Sequence, residues 1–210
     1  MDTHNILKRQ IFFLQEEEKN TQKFEQLYAI TNPKVLSLAE ETAILFDTAT
    51  DNNGQILFSK ILDIVKEQEN MSLTATVKKT FSNKKVAVSH VITEVFDSII
   101  QFLGVSLSKE QIQQLRAFTD NIFLNLSEQQ DFSWIHWIKK EKNYTTYQYN
   151  IFLASDGAEG NIFFYNIPIL LNVNIQLSFD DLLKLQPTDQ ISYDVEIQGI
   201  KIAQLTEALF

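Results

Sequence analysis

The sequence predicts an α+β protein with antiparallel strands, on three observations. Apolar residues recur at steps of three and four through the middle of the chain, which is the periodicity of an amphipathic helix. After about residue 130 they alternate with polar residues, as in a strand that is covered on one face. No internal repeat and no linker rich in glycine, proline or serine divides the 210 residues, so we expect a single domain over 1–210.

The first helical layer is predicted over about 33–66. Asn32-Pro33 is a helix-start signal, because proline suits the first helical position. A polar loop at 50–54 interrupts the apolar stripe that follows. We therefore expect two helices in this layer.

The second helical layer is predicted over about 88–126. Its first helix ends at Gly104, a natural C-terminal stop, and Ser108 with Gln111 has the spacing of a capping box. Because about five residues join the two helices, we expect an antiparallel helical hairpin. The apolar face of its first helix consists of Val88, Val91, Ile92, Val95, Phe96, Ile99 and Leu103.

The main sheet is predicted over about 130–205, together with a β-rich N-terminal strand at about 6–15. Its long alternating segments lie at about 143–155, 161–177 and 190–204. At Gly199 the apolar positions change parity, which predicts a β-bulge. Residues 70–86 fit neither period, and we interpret Asn83-Lys84-Lys85 as a loop.

Composition excludes several classes of protein. The chain has 18 basic and 27 acidic side chains, a formal net charge of −9 and no cysteine. Without cysteine there is no disulfide framework, cysteine-ligated zinc or iron–sulfur site, or cysteine nucleophile. The acidity argues against nucleic acid as a partner and against electrostatic capture by an anionic membrane. Apolar burial would therefore have to drive any contact with a membrane.

Hydropathy excludes a membrane-spanning helix but leaves strands open. Uninterrupted apolar stretches have at most five residues, whereas a spanning helix needs about 20 and a spanning strand about 9–11. The N-terminal residues lack the charged region, apolar region and cleavage site of a signal peptide. We therefore expect synthesis without a signal peptide.

The sequence contains no candidate for a catalytic site. His4, His90 and His136 are spaced neither with one another nor with carboxylates in the way that a metal site requires. No nucleophile motif, phosphate-binding loop or metalloprotease motif is present. We expect no enzymatic activity, no catalytic residue, no cofactor and no metal.

Periodicity alone leaves two interpretations of the helices and strands. The simpler one is an ordinary sheet whose apolar face packs under helices. The other is a convertible domain, whose helices separate so that the strands enter lipid.

Four segments, taken in order, carry a family resemblance. They are residues 102–108 (FLGVSLS), 134–137 (WIHW), 143–150 (NYTTYQYN) and 192–204 (SYDVEIQGIKIAQ). Together they resemble the cytolytic delta-endotoxin (Cyt) family of insecticidal bacterial toxins, to which the fungal volvatoxins are similar. The resemblance is best over about residues 86–204.

The resemblance implies a three-layer α/β/α domain, in which an antiparallel sheet is flanked by two amphipathic helical hairpins. It also implies a cytolysin that binds phospholipid directly and inserts its long strands to form oligomeric pores. The implied partners are the phospholipid membrane of target cells and the protein itself, as a dimer in solution or an oligomer on the membrane. As regards location, it implies an intracellular inclusion or release outside the Sec route, followed by action at the target-cell membrane.

The resemblance, together with the alternation, gives the candidate functional residues. Residues 143–155 and 163–177 contain no charge on either face, and a basic residue facing lipid at mid-membrane costs about 2–4 kcal/mol. The membrane-insertion candidates are Tyr147, Tyr149, Ile151, Leu153, Phe163, Tyr165, Ile167, Ile169, Leu171, Val173, Ile175, Leu177, Ile191, Tyr193, Val195 and Ile197. Asp194 and Glu196 lie on the polar face of the last strand and are candidates for a cation-preferring pore lumen.

Two functional alternatives stay open at this point. The same fold could act as a lipid-binding or detergent-like protein through the helix 88–103, without a defined pore. It could also be a Cyt-like virulence or accessory protein that has lost lysis. Precursors in the family carry terminal extensions, whereas this chain has little sequence beyond its outer strands. We therefore expect either a trimmed core or a toxin that proteolysis does not control.

Overall fold

The computed structural model describes residues 7–9, 22–157 and 162–206. In chain order, its elements are β1 (Leu7–Arg9), β2 (Glu25–Ala29), α1 (Pro33–Asp47), α2 (Phe58–Glu67), β3 (Met71–Ala87), α3 (Val88–Leu103), α4 (Lys109–Asp120), a 3-10 turn (Leu126–Gln129), β4 (Ile135–Lys140), β5 (Thr145–Asp156), β6 (Phe163–Ile175), α5 (Phe179–Leu182) and β7 (Gln190–Leu205). The α+β class predicted from the sequence is confirmed.

In the described residues, seven strands form one sheet in the order β1-β2-β5-β6-β7-β3, and β4 pairs with β5 beside this path. All pairs are antiparallel except β2 and β5, which run parallel from Glu25 opposite Ile151 to Ala29 opposite Ser155. The sheet is therefore mixed: its strands pair antiparallel as expected, with the exception of this pair. The parallel pair arises because the long connection through α1, α2, β3, α3 and α4 separates its two strands.

The helices form a layer on each face of the sheet. One core lies between α3, α4 and one face, and a second core lies between α1, α2 and the other. Side chains at successive positions of a strand point to opposite faces, so β5 contributes Ile151 to the first core and Phe152 to the second. This burial on both faces is the physical basis of the three layers.

Local signals position the hairpin of α3 and α4. Gly104 ends α3 in the left-handed conformation, at φ 61°, which costs glycine least. Ser108 and Gln111 form the expected capping box: Ser108 N donates to Gln111 Oε1 at 2.9 Å, and Gln111 N donates to Ser108 Oγ at 3.1 Å. The two helices are consequently joined by a tight connection.

Strand β3 is the main element that was not predicted from the sequence. It pairs with β7 from Met71 to Ala87 and has 17 residues. The interpretation of Asn83-Lys84-Lys85 as a loop was wrong, because these residues form an irregularity inside the strand, with a register shift between Asn83 and Val86 and φ 52° at Lys85. Strand β2 was also missed. Of the strand expected at 6–15, residues 7–9 are β1, and the remainder lies outside the described residues.

The bulge predicted at Gly199 was wrong as well. The pairing of β7 continues through this position, with Gly199 opposite Ile169 on β6 and opposite Val77 on β3. The apolar positions change parity because Ile197 faces the first core, whereas Ile200 faces the second. Among residues 7–9, 22–157 and 162–206, no helix is both long and apolar enough to cross a membrane.

Candidate functional site

The predicted insertion residues lie on one face of the sheet, beneath α3 and α4. Thirteen of the sixteen are buried in the first core, and Tyr165 and Leu177 are partly buried against it. Phe163 lies beyond that core, at the end of β6, where its ring is edge-on to Tyr165 with 5.3 Å between ring centroids. The structure therefore brings this set together as one surface of β5, β6 and β7.

Cross-strand register makes this surface continuous. Val173 on β6 is opposite both Tyr147 on β5 and Val195 on β7. The next row on the same face joins Tyr149, Leu171 and Ile197 in the same order. Directly opposite side chains interact across a sheet, so the apolar side chains of the three strands form one sheet-wide contact surface.

The predicted apolar face of α3 covers this surface. Six of its seven residues are buried in the first core, and Phe96 is partly buried against it. Leu115 and Phe118 on α4 are fully buried in the same core. The two amphipathic surfaces identified in the sequence are thus in contact with each other.

A few polar contacts from β3 and β7 also hold α3. Lys79 Nζ donates to Ser98 Oγ at 3.1 Å, and Lys201 Nζ donates to the carbonyl oxygen of Leu103 at 2.5 Å. The Tyr193 hydroxyl donates to the carboxylate of Glu94. Hydrogen bonds of this kind contribute about 0.5–3 kcal/mol each. Apolar burial therefore provides most of the attachment of α3 to the sheet.

Two buried tyrosines of β5 have polar partners at the far side of the core. The Tyr147 hydroxyl donates to the carbonyl oxygen of Ile122 at 2.7 Å. The Tyr149 hydroxyl lies 2.7 Å from Gln129 Oε1 and also contacts the carboxylate of Glu25. These contacts satisfy polar groups that would be costly to bury alone.

The opposite face of the same strands carries a polar row. Gln148 Nε2 donates to Asn172 Oδ1 at 2.7 Å, and Asn172 Nδ2 donates to Glu196 Oε1 at 3.3 Å. On β3, Lys78 Nζ lies 3.6 Å from Glu196 Oε2. This row links β5, β6, β7 and β3 through side chains.

The two predicted lumen residues both lie on this polar face. Asp194 is exposed and accepts a hydrogen bond from the Ser82 hydroxyl, whereas Glu196 is partly buried beside Lys78. Lys78 was not predicted from the sequence as a partner of Glu196. A signal for this partner was present in the sequence. It is the alternation of polar residues along β3, at Thr76, Lys78, Thr80 and Ser82.

Asp47, in the last turn of α1, has an unusual environment. Burial raises the pKa of this carboxyl to about 7, although a backbone N–H and the charge of Lys23 act in the opposite direction. Its Oδ1 is buried and has no hydrogen-bond partner among the residues that the structure describes. The described part of the chain contains no group of three or more histidine and carboxylate side chains that could hold a metal ion.

The sequence is similar to those of known proteins over most of its length. The family described as Bacillus thuringiensis toxin matches residues 2–209. The type-1Aa cytolytic delta-endotoxin of Bacillus thuringiensis subsp. morrisoni is 32% identical over 163 residues, which cover 76% of this chain and 66% of that protein, just under two thirds of its length. The type-1Ba cytolytic delta-endotoxin of subsp. neoleoensis is 28% identical over 204 residues, covering 93% and 77%.

The fold has a solved counterpart in the activated Cyt2Ba monomer from Bacillus thuringiensis subsp. israelensis. The TM-score is 0.80 at 22% identity, and the match covers 89% of this chain and all of that one. This likeness concerns the three-layer fold. The family match extends over nearly the whole chain, and the chain therefore belongs to the cytolytic delta-endotoxin family.

Proposed function

We propose that this protein is a membrane-permeabilising cytolytic toxin that binds phospholipid directly and acts at the target-cell membrane without an enzymatic step. The observation that carries the proposal is the apolar surface of β5, β6 and β7, which is sheet-wide and covered by the α3–α4 hairpin. In β5 and β6 the face is free of charge along its whole length. Lipid chains can replace the α3–α4 hairpin in contact with such a surface.

Separation of the hairpin is the proposed activating step. Each large apolar side chain gains about 1.5–3 kcal/mol when it leaves water, and hydrocarbon provides the same gain as the protein core. The strands therefore lose little apolar stabilisation if lipid replaces α3 and α4 directly. The polar row that includes Gln148, Asn172 and Glu196 would then face water.

Oligomerisation follows from the chemistry of the backbone. In hydrocarbon, an unpaired strand edge leaves N–H and C=O groups unsatisfied at a cost of several kcal/mol each. Inserted strands must therefore pair with strands from other copies. We accordingly propose a pore built from several copies of the chain.

A reversible crosslink between α3 and the sheet tests this mechanism. Lys79 and Ser98 are in contact across the two layers, and the chain has no cysteine of its own. In K79C/S98C, a short bis-methanethiosulfonate reagent should join the two positions through disulfides. We expect the linked protein to release no dye from dioleoylphosphatidylcholine vesicles until dithiothreitol restores release.

A control crosslink within one layer separates hairpin release from a general effect of the reagent. Thr146 on β5 and Asn174 on β6 are directly opposite each other, so T146C/N174C ties two strands without fixing a helix. Dye release by the linked control should persist. Full release by linked K79C/S98C would contradict the proposed mechanism.

The size of the released molecules separates a pore from membrane breakdown. A defined pore releases small dyes and retains large dextrans. If both escape at equal rates, the protein acts in a detergent-like manner through the apolar face of α3. If neither escapes while the protein binds the vesicles, it is a lipid-binding protein without lytic activity.

A further inference from the structure

A cavity of about 310 Å³ lies between the α3–α4 connection and the ends of two strands. One wall consists of residues 104–107, which join α3 to α4, together with Gln111 on α4. The other wall includes Ala29 on β2 and Ser155 on β5, which are directly opposite each other in the sheet register. Small-molecule sites have volumes of about 300–1,000 Å³, so this cavity suits a ligand with a single ring.

A small apolar pit adjoins the cavity. Its volume is about 10 Å³, which is room for one group of the size of a water molecule or a methyl. Ala29, Leu107 and Ser155 line both spaces. The rest of the pit is apolar and consists of Leu27, Leu103, Leu115, Leu153 and Ala154. Because this wall offers water few hydrogen bonds, the pit favours a methyl group.

The hydroxyl of Ser155 lies at the boundary of the cavity and the pit. The residue is 2% exposed, and its Oγ has no hydrogen-bond partner in the described part of the chain. Buried hydroxyl groups in folded proteins are nearly always hydrogen-bonded. An unpaired hydroxyl beside two ligand-sized spaces therefore indicates that a bound molecule supplies its partner.

Two further side chains give the cavity a donor and an acceptor. Gln111 Oε1 accepts a hydrogen bond from Ser108 N at 2.9 Å in the capping box, which leaves the two N–H donors of its Nε2 for a ligand. Asp156 also lines the cavity, and its Oδ2 accepts from the backbone N–H and the hydroxyl of Thr31, both at 3.0 Å. The other carboxylate oxygen can accept from a ligand hydroxyl, and the negative charge disfavours an anionic ligand.

We propose that this cavity binds an N-acetyl amino sugar. The acetamide methyl fills the pit, the acetamide N–H donates to the Ser155 hydroxyl, and the acetamide oxygen accepts from Gln111 Nε2. Ring hydroxyls donate to Asp156. A plain hexose has no methyl for the pit and no carbonyl for Gln111. The site goes beyond the proposed permeabilising function, because its occupation requires no membrane.

Saturation-transfer NMR on the wild-type protein tests the assignment. With N-acetylglucosamine as the probe, we expect the acetyl methyl protons to receive more saturation than the ring protons, because the pit encloses the methyl. Glucose and glucosamine lack the acetyl group and should bind about tenfold more weakly. Equal binding of glucose would show that the acetyl group is not recognised and would overturn the proposal. Equal binding of Nε-acetyl-lysine would show that the sugar ring is not recognised, with the same consequence.

Q111E tests the donor while it preserves the helix. Glutamate at this position keeps the capping box but replaces the Nε2 donors with an acceptor, so we expect about tenfold weaker binding of N-acetylglucosamine. Q113E is the matched control, because it makes the same charge change at an exposed position of α4 outside the cavity wall. Its affinity should equal that of wild type. An unchanged affinity in Q111E, or an equal loss in both variants, would overturn the site.

Urea unfolding of the wild-type protein provides a measurement that needs no variant. A ligand that binds only the folded state raises the unfolding midpoint, so N-acetylglucosamine should raise it in wild type and in Q113E but not in Q111E. Glucose at the same concentration controls for the general stabilisation that excluded sugars produce. An equal rise with both sugars would contradict the proposed site.

Discussion

The hydroxyl of Tyr193 on β7 donates a hydrogen bond to the carboxylate of Glu94 on α3. This contact joins the sheet to the helix through a side chain that is itself one of the predicted insertion residues. Asn83 Nδ2 donates to the same hydroxyl at 3.2 Å, and His90 Nε2 lies 3.8 Å from the other oxygen of Glu94. Strands β3 and β7 therefore meet α3 at one small polar cluster.

Removal of the Tyr193 hydroxyl should loosen the hairpin. In Y193F the carboxylate of Glu94 loses its donor, and we expect the free energy of unfolding to fall by about 1–2 kcal/mol. Release of vesicle dye should become faster. The matched control is Y144F. It removes a hydroxyl that donates to Glu141 at 2.8 Å within one surface loop. Equal release rates for Y193F and wild type would show that this contact does not restrain α3.

Charge on the polar face should determine the ion selectivity of the proposed pore. D194N/E196Q should lower cation selectivity in planar bilayers, because both carboxylates proposed to face the lumen become neutral. K78M should raise it, since Lys78 lies 3.6 Å from Glu196 and offsets its charge. The stability of K78M should change by less than about 1 kcal/mol, because the side chain of Lys78 is largely exposed.

A lysine–carboxylate pair outside the strands provides the selectivity control. Lys66 lies 3.4 Å from Asp63 on α2, and K66M should leave the reversal potential unchanged. Unchanged selectivity in both D194N/E196Q and K78M would contradict the assignment of this face to the lumen.

The close approach of α3 to the sheet makes Gly199 sensitive to substitution. A Cβ atom there would lie 3.1 Å from Ile169, 3.2 Å from Val77 and 3.3 Å from Phe102 on α3. We expect G199A to destabilise the fold by about 1–3 kcal/mol through overpacking and to accelerate dye release. G54A should also destabilise, because Gly54 has φ 80°, but it lies in the loop between α1 and α2 and should not accelerate release. Equal acceleration by both variants would indicate a global effect of stability.

Stability should depend on pH through Asp47. Its pKa is raised from 3.8 to about 7 in the folded protein, so the folded state binds the proton more tightly than the unfolded state. The contribution of the protonated Asp47 carboxyl to the free energy of unfolding is complete below about pH 4, and it is lost as the pH rises through 7. D47N should therefore raise the free energy of unfolding at pH 8 by about 2 kcal/mol, and this gain should vanish near pH 4.

Urea denaturation at the two pH values measures this difference. D63N is the control, because Asp63 is exposed on α2, and its effect should be within about 0.5 kcal/mol at either pH. A gain for D47N that is the same at pH 4 and pH 8 would exclude titration of this carboxyl as its cause.

The sequence was most informative where local periodicity and burial agree. The alternation in β5 and β6 and the helical stripe of α3 identified the two surfaces that pack together. Strand β3 was missed because Lys79 interrupts its apolar positions, and the contact that accommodates this lysine, with Ser98, lies on a different element. The parallel pairing of β2 was missed because it is non-local. Gly199 was misinterpreted because a strand covered on both faces changes its apolar parity without a bulge.

Because helices pack on both faces of the sheet, burial limits which of its positions can vary in evolution. Selection for a stable fold alone is sufficient to keep Ile169, Leu171 and Val173 apolar, since all three are buried. Variation at these positions therefore carries little information about membrane activity. Asn172 and Glu196 of the polar row are only partly buried and are under a weaker packing demand, so descendants that lose the proposed lytic activity should diverge there first.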